Sequence, residues 1–198
     1  TTAVALRLTL DAARATGPAP HAILATGDIG DDTSAAAYAA FRSALAGRAP
    51  RVFCLPGNHD DPALMQRLLQ GDGFQHCGSS RLGGWGLVML DTHVPGRPHG
   101  RLADTELARL DAELHALRDV PVLVCMHHPP VAVGSAWLDG VGLRNGDAFF
   151  EVIDRHHHVR GVLAGHVHQE FDAMRGSVRM LATPSTWATL LRLASGSR

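Results

Sequence analysis

No run of 18 consecutive apolar residues occurs in this 198-residue chain, so nothing in it reads as a bilayer-spanning helix. A basic excess is also missing: 18 Lys and Arg stand against 19 Asp and Glu, a net charge of −1. That argues against a nucleic-acid binder, which usually carries a basic stripe. There is no disordered tract, internal repeat, linker or shift of composition, so one domain over residues 1–198 is expected. Cysteines are few, odd in number and far apart (Cys54, Cys77, Cys125). Two of them lie inside apolar strand-like runs, where a free thiol acts as a small hydrophobe, so a reducing, cytoplasmic setting is expected. No signal peptide pattern is visible, and the chain opens on Thr1-Thr2 without Met, so its true start is expected to lie elsewhere. What the chain has in quantity is histidine, 13 residues of the commonest metal-ligating type.

Helical and strand-like periods alternate along the chain. Residues 2–16 read as a helix, with Leu6, Leu10 and Ala13 on one face and Gly17-Pro18 ending it. Residues 21–27 and 51–55 read as buried strands. Between them Thr33 is expected to cap an Ala-rich helix to about residue 46, with Tyr38, Phe41 and Leu45 on one face. Asp61-Pro62 begins a short helix to residue 69. Residues 79–92 read as a hairpin turning at Gly83-Gly84, and residues 169–182 as a second turning at Arg175-Gly176. Helices are expected from Asp104 to Leu117 and over 147–156, and strands over PVLVCM and VRGVLAG. Alternating units plus two hairpins imply an α/β protein with two stacked mixed sheets and helices outside. The Gly- and Pro-rich stretch 127–146 reads as a long functional loop, with Trp137 as a candidate active-site wall.

Four short segments, each closing an apolar run, hold most of the chemistry. They are Thr26-Gly27-Asp28, Gly57-Asn58-His59-Asp60, His127-His128-Pro129-Pro130 and Gly165-His166-Val167-His168. Each alone could be a solvated turn. Together, at four strand ends, they read as a metal cluster on a sheet edge. Adjacent strand side chains alternate, so only one of His127 and His128 should face the site. His166 and His168, two apart, are expected to project to the same side. Oxygen and nitrogen donors without thiolate suit Mn, Fe or Zn, and a bridging carboxylate suits a pair of ions about 3.5–4 Å apart that lowers the pKa of a bridging water and clamps a phosphoryl group. Asn58 and His59 are the candidate substrate-binding pair, with His59 the candidate catalytic acid at the leaving oxygen.

The order GD…GNHD…HHPP…GHVH is similar to the signature of the calcineurin-like metallophosphoesterases. Leu90–Gly96, Gly100-Arg101-Leu102, HHPPVAVGSAWLDGVGLRN and Thr183–Thr186 resemble the class III cyclic nucleotide phosphodiesterases of that superfamily. The resemblance implies the α/β/β/α fold and hydrolysis of 3′,5′-cyclic AMP to 5′-AMP by metal-activated hydroxide in a two-metal site. It implies that Asp28 bridges two divalent or trivalent ions. Asn58, His127 and His166 would complete the second ion's shell and His168 would reach the first, while Asp60 orients His59. The ligand is the first histidine of the His-x-Pro element, hence His127 rather than His128. The family opens on an Asp-x-His strand, absent here, and continues past the segment WATLLRLASGSR differently. The chain is therefore expected to be truncated at both ends, with an incomplete first-metal site. Asp91-Thr92-His93 is spelled like that missing motif, and His93 is expected to line the pocket instead. The alternatives are another phosphodiester as substrate, or a non-catalytic fragment. The expected partner is a small phosphodiester, with a homodimer possible.

Overall fold

A computed structural model describes residues 2–30 and 33–186; the terminal WATLLRLASGSR lies outside the described residues. The first helix, α1 (Thr2–Thr16), leads into strand β1 (Ile23–Ala25), helix α2 (Ala35–Leu45), strand β2 (Val52–Cys54), helix α3 (Pro62–Leu68) and strand β3 (Phe74–His76). The three strands pair in parallel in the order β1-β2-β3. Then come the hairpin β4 (Gly78–Leu82) and β5 (Trp85–Met89), helix α4 (Asp104–Ala116), strand β6 (Val122–Met126), short helix α5 (Ala136–Asp139) and helix α6 (Gly146–Ile153). Strand β7 (Val159–Ala164) and the hairpin β8 (Phe171–Arg175) and β9 (Val178–Ala182) complete a six-stranded sheet, ordered β4-β5-β6-β7-β9-β8. Its inner strands are parallel and its two outer pairs antiparallel.

Strand alternation sorts the buried side chains into layers. On β2, Val52 and Cys54 pack with Tyr38, Leu45, Met65 and Leu69 of the α2–α3 side, whereas Phe53 and Leu55 face the other way. Phe53 and Leu55 meet Leu87, Met89 and Cys125 of the large sheet, so this cluster is the seam between the two sheets. On β6, Val122, Val124 and Met126 instead face Leu110, Leu114, Phe149 and Ile153 of α4 and α6. Helix, sheet, sheet and helix thus stack as the expected α/β/β/α architecture.

The boundaries carry corrections. Thr33 does not cap α2: it is left-handed at φ 49°, and the next residue, extended Ser34, accepts from the Ala37 N–H. Asp61 does cap α3, accepting from Leu64 N–H with Pro62 following. The 147–156 helix stops at Ile153, so His156–His158 lie beyond it. Strand β3 and helix α5 carry too few residues to show a period, and the sequence reading missed both.

Candidate metal centre and active site

All four segments follow the C-terminal ends of parallel strands: β1 delivers Asp28, β2 Asn58 and His59, β6 His127, and β7 His166 and His168. His127 continues the parity of Leu123 and Cys125 and therefore enters the seam between the sheets, where it is 1% exposed. His128 continues the opposite parity. Its Nδ1 takes the Thr92 hydroxyl at 2.8 Å and its Nε2–H donates to the Pro98 carbonyl at 3.2 Å. Both ring nitrogens are spent, although the donors of His127, His128 and His166 all lie within 4.8 Å of one another. His128 therefore buttresses, and His127 is the ring with a nitrogen to offer.

The environment of that nitrogen is informative. The Thr26 carbonyl, 2.7 Å from His127 Nδ1, can only accept, so Nδ1 carries the hydrogen. His127 Nε2 then faces Asn58 Oδ1 at 3.2 Å, Asp28 Oδ2 at 3.3 Å and His166 Nδ1 at 3.2 Å. Acceptors gather here with too few protons among them, which calls for an electropositive occupant. Donors about 2.0–2.2 Å from one ion at tetrahedral or octahedral angles stand roughly 2.9–3.5 Å apart, the spacing found here. The remaining ring nitrogen of His166, Nε2, is buried without a hydrogen-bond partner among the described residues. The residues fit a divalent ion.

The backbone is bent to bring them together. Asp28, His166 and His168 all adopt positive φ (55°, 65° and 52°), each a conformation costing about 1–3 kcal/mol that persists where surrounding contacts impose it. No sequence pattern announces this, and it replaces the extended 166–168 arrangement expected from spacing. Gly57 is required by close approach: a Cβ there would lie 2.1 Å from Asp28 Oδ1. Gly165 is required likewise, 2.5 Å from the Thr26 carbonyl.

Burial alone would raise the Asp28 carboxyl, but the adjacent His127 ring and the His59 N–H, donating at 3.1 Å, hold it well below the usual carboxylate range. Burial pulls His166 down to about 4 and keeps its ring neutral at neutral pH. His59 is exposed, and His59 and His168 both lie close enough to act electrostatically on His166. Asp28, Asn58, His127 and His166 are thus in direct contact, with His59 and His168 beside them.

Asp60 has a different task from the one expected. Its buried carboxylate accepts from Ile29, Gly30 and Gly57 N–H and from the Tyr38 hydroxyl, binding the Asp28 loop to the Asn58 loop rather than steering the His59 ring. Asp91 does not stand in for an opening ligand. It is capped by the His93 N–H and interacts with Glu106 and Arg109. Trp137, 68% exposed on α5, is adjacent to Leu138, which packs against Val167 between the two candidate histidines.

Comparison with known proteins bears on this geometry. The calcineurin-like phosphoesterase family matches residues 4–170. The chain is 41% identical over 165 residues to a Vibrio vulnificus (strain CMCP6) protein named 3′,5′-cyclic adenosine monophosphate phosphodiesterase CpdA, covering 83% of this chain and 60% of that one. It is 40% identical over 185 residues to the Pseudomonas aeruginosa protein of the same name, covering 89% and 68%. The chain thus spans some three-fifths to two-thirds of these relatives' length. The fold is similar to that of a dimetal phosphatase from Danio rerio, with a TM-score of 0.76 at 17% identity, over 93% of this chain and 78% of that one. With the motif order, layer architecture and matched span in agreement, the chain belongs to the calcineurin-like phosphoesterase family.

Proposed function

We propose that the protein is a metal-dependent phosphodiesterase that hydrolyses 3′,5′-cyclic AMP to 5′-AMP. The observation that carries this is the convergence of Asp28, Asn58 and His166 on the unprotonated nitrogen of His127 at the seam of the sheets. The substrate class rests on the printed names of relatives at 40–41% identity. Calcineurin-like phosphoesterases use divalent metals, and Asp28, Asn58, His127, His166 and His168 are the residues that would hold them. When bound, such ions neutralise phosphoryl oxygens and acidify water. Fe, Mn or Zn suits the mixed oxygen and nitrogen donors.

In hydrolysis, water's oxygen forms a bond to phosphorus, the bond from phosphorus to O3′ breaks, and a proton reaches O3′. His59, exposed beside Asp28, is the proposed donor of that proton, and the Asn58 amide is the proposed contact to the phosphate. Trp137, on the helix packed over Val167, is the proposed wall beside the base.

The test is cyclic AMP turnover in the presence of Mn²⁺, set beside metal content per chain. Wild-type protein should bind Mn²⁺ and release 5′-AMP, and His59→Ala should cut kcat by about 10²–10⁴-fold while metal content is unchanged. Absence of turnover by metal-loaded wild-type protein sinks the proposal. Equal rates from both proteins would remove the role given to His59.

A further inference from the structure

At the opposite end of the large sheet, where β7 begins and α4 and α6 end, seven residues line an open surface cavity of about 460 Å³: His115, Arg118, Arg155, His156, His157, His158 and Arg160. Among the described residues no carboxylate lines it. The β7 strand runs from Val159 beside this cavity to Ala164 beside the metal centre, so the two sites lie roughly 20 Å apart. Part of the cluster has a structural purpose. His158 Nε2 donates to the Leu114 carbonyl and Arg118 to the His115 carbonyl, closing the C-terminal turn of α4. Arg155 and His156 are both bonded to Asp111 on α4, which fixes that wall. His158 and His156 then meet edge to face, with ring centroids 5.6 Å apart.

Capping does not account for the rest. The side chains of His115, His157 and Arg160 have no hydrogen-bond or ion-pair partner among the described residues, yet they line the same cavity as Arg118 and Arg155. The nearest acids are engaged: Asp111 by Arg155 and His156, and Asp119 by Arg81. The protein has no lysine, and all 18 of its cationic side chains are arginine, whose planar fork matches phosphate oxygens. In a chain of net charge −1, three arginines and four histidines gather around one hollow, and the guanidinium of Arg160 stands there without a carboxylate of its own among the described residues.

We propose that this cavity is a second, non-catalytic site for a small multiply charged phosphate, of the pyrophosphate or nucleoside polyphosphate class. Arg160, His157 and His115 supply the unspent donors, and Arg118 and Arg155 frame it. Cross-linking of this cavity to α4 and β7 makes it a preformed anion site, independent of the metal centre.

The test is isothermal titration of pyrophosphate into the whole chain with EDTA present, so that resident metal does not draw the anion to the other site. Wild-type protein and Arg67→Ala, which removes an exposed arginine on α3, should bind one pyrophosphate with equal affinity. The double variant His157→Ala/Arg160→Ala, both exposed positions, should bind at least 10-fold more weakly with an unchanged circular dichroism melt. Absence of binding by wild type, or equal affinity in the double variant, overturns the proposal. So does an equal loss in Arg67→Ala, which would mark nonspecific charge attraction. Loss confined to vesicle binding, with pyrophosphate untouched, would assign the patch to an anionic membrane surface and overturn it too.

Discussion

A methyl group at position 57 would fall 2.1 Å from the carboxylate of Asp28 and 2.7 Å from the ring of His127, so Gly57→Ala has nowhere to relax except through the metal centre. That variant should keep its overall fold and lose bound Mn²⁺ by about tenfold or more, read by elemental analysis beside circular dichroism. Retained metal with an intact fold would show that the centre does not depend on this approach. Trp137 makes the complementary case at the rim. Its ring is mostly exposed while its neighbour Leu138 is buried against Val167, so its removal costs no core packing. Trp137→Ala should raise the KM for cyclic AMP by roughly 5–150-fold, the range of about 1–3 kcal/mol for base–aromatic stacking, with little change in kcat. An unchanged KM would remove the base wall.

Among the elements, the loops after β1 and β2 are held together by one buried acid. Tyr38 on α2 donates to Asp60 at 3.1 Å and accepts from the Asp61 N–H at 2.9 Å, so a helix face holds both loops that carry candidate ligands. Tyr38→Phe removes a hydrogen bond to a charged group and leaves the Asp61 N–H without its partner. A loss of about 1.5–3 kcal/mol in urea unfolding is expected, together with weaker metal binding. This arrangement shows where sequence reading succeeds. The strand ends, the Asp61-Pro62 helix start and the β4–β5 turn at Gly83-Gly84 are local signals, and each appears at its place. Asp60 as a clamp was not legible, because its partners other than Gly57 lie 22 to 31 residues away and only tertiary contact joins them. The left-handed backbone at Asp28, His166 and His168 was hidden for the same reason: packing imposes it against local preference. Thr33 and Ser34 are both good caps by type, and only φ separates them.

For the molecule as a whole, buried imidazoles set the response to acid. Burial pulls both His128 and His166 below the ordinary value of 6.5, so the unfolded chain binds protons that the folded chain refuses. Stability of the metal-free protein should therefore be level above about pH 6.5 and fall below it, by up to about 1.4 kcal/mol per pH unit for each such group. For His166 the fall continues to about pH 4. Below about pH 4 a second loss begins as paired carboxylates such as Asp111 and Asp154, lowered by their bonds to His156 and Arg175, take up protons. A flat profile between pH 7 and 5 in chelator-treated protein would contradict this reading. Metal should act in the opposite direction. At an excess of 100 times Kd a bound ion adds about 2.7 kcal/mol, or roughly 5–10 °C in Tm for a chain of this size, and EDTA should remove it.

The donors come from both sides of the seam, Asp28 and Asn58 from the small sheet and His127 and His166 from the large one. An ion seated there is a rivet through two plates. Neither half can grip it alone, so ion affinity becomes a gauge of how tightly the halves are clasped, and any substitution in Phe53, Leu55 or Met89 that loosens them should be felt first as a leaking cation.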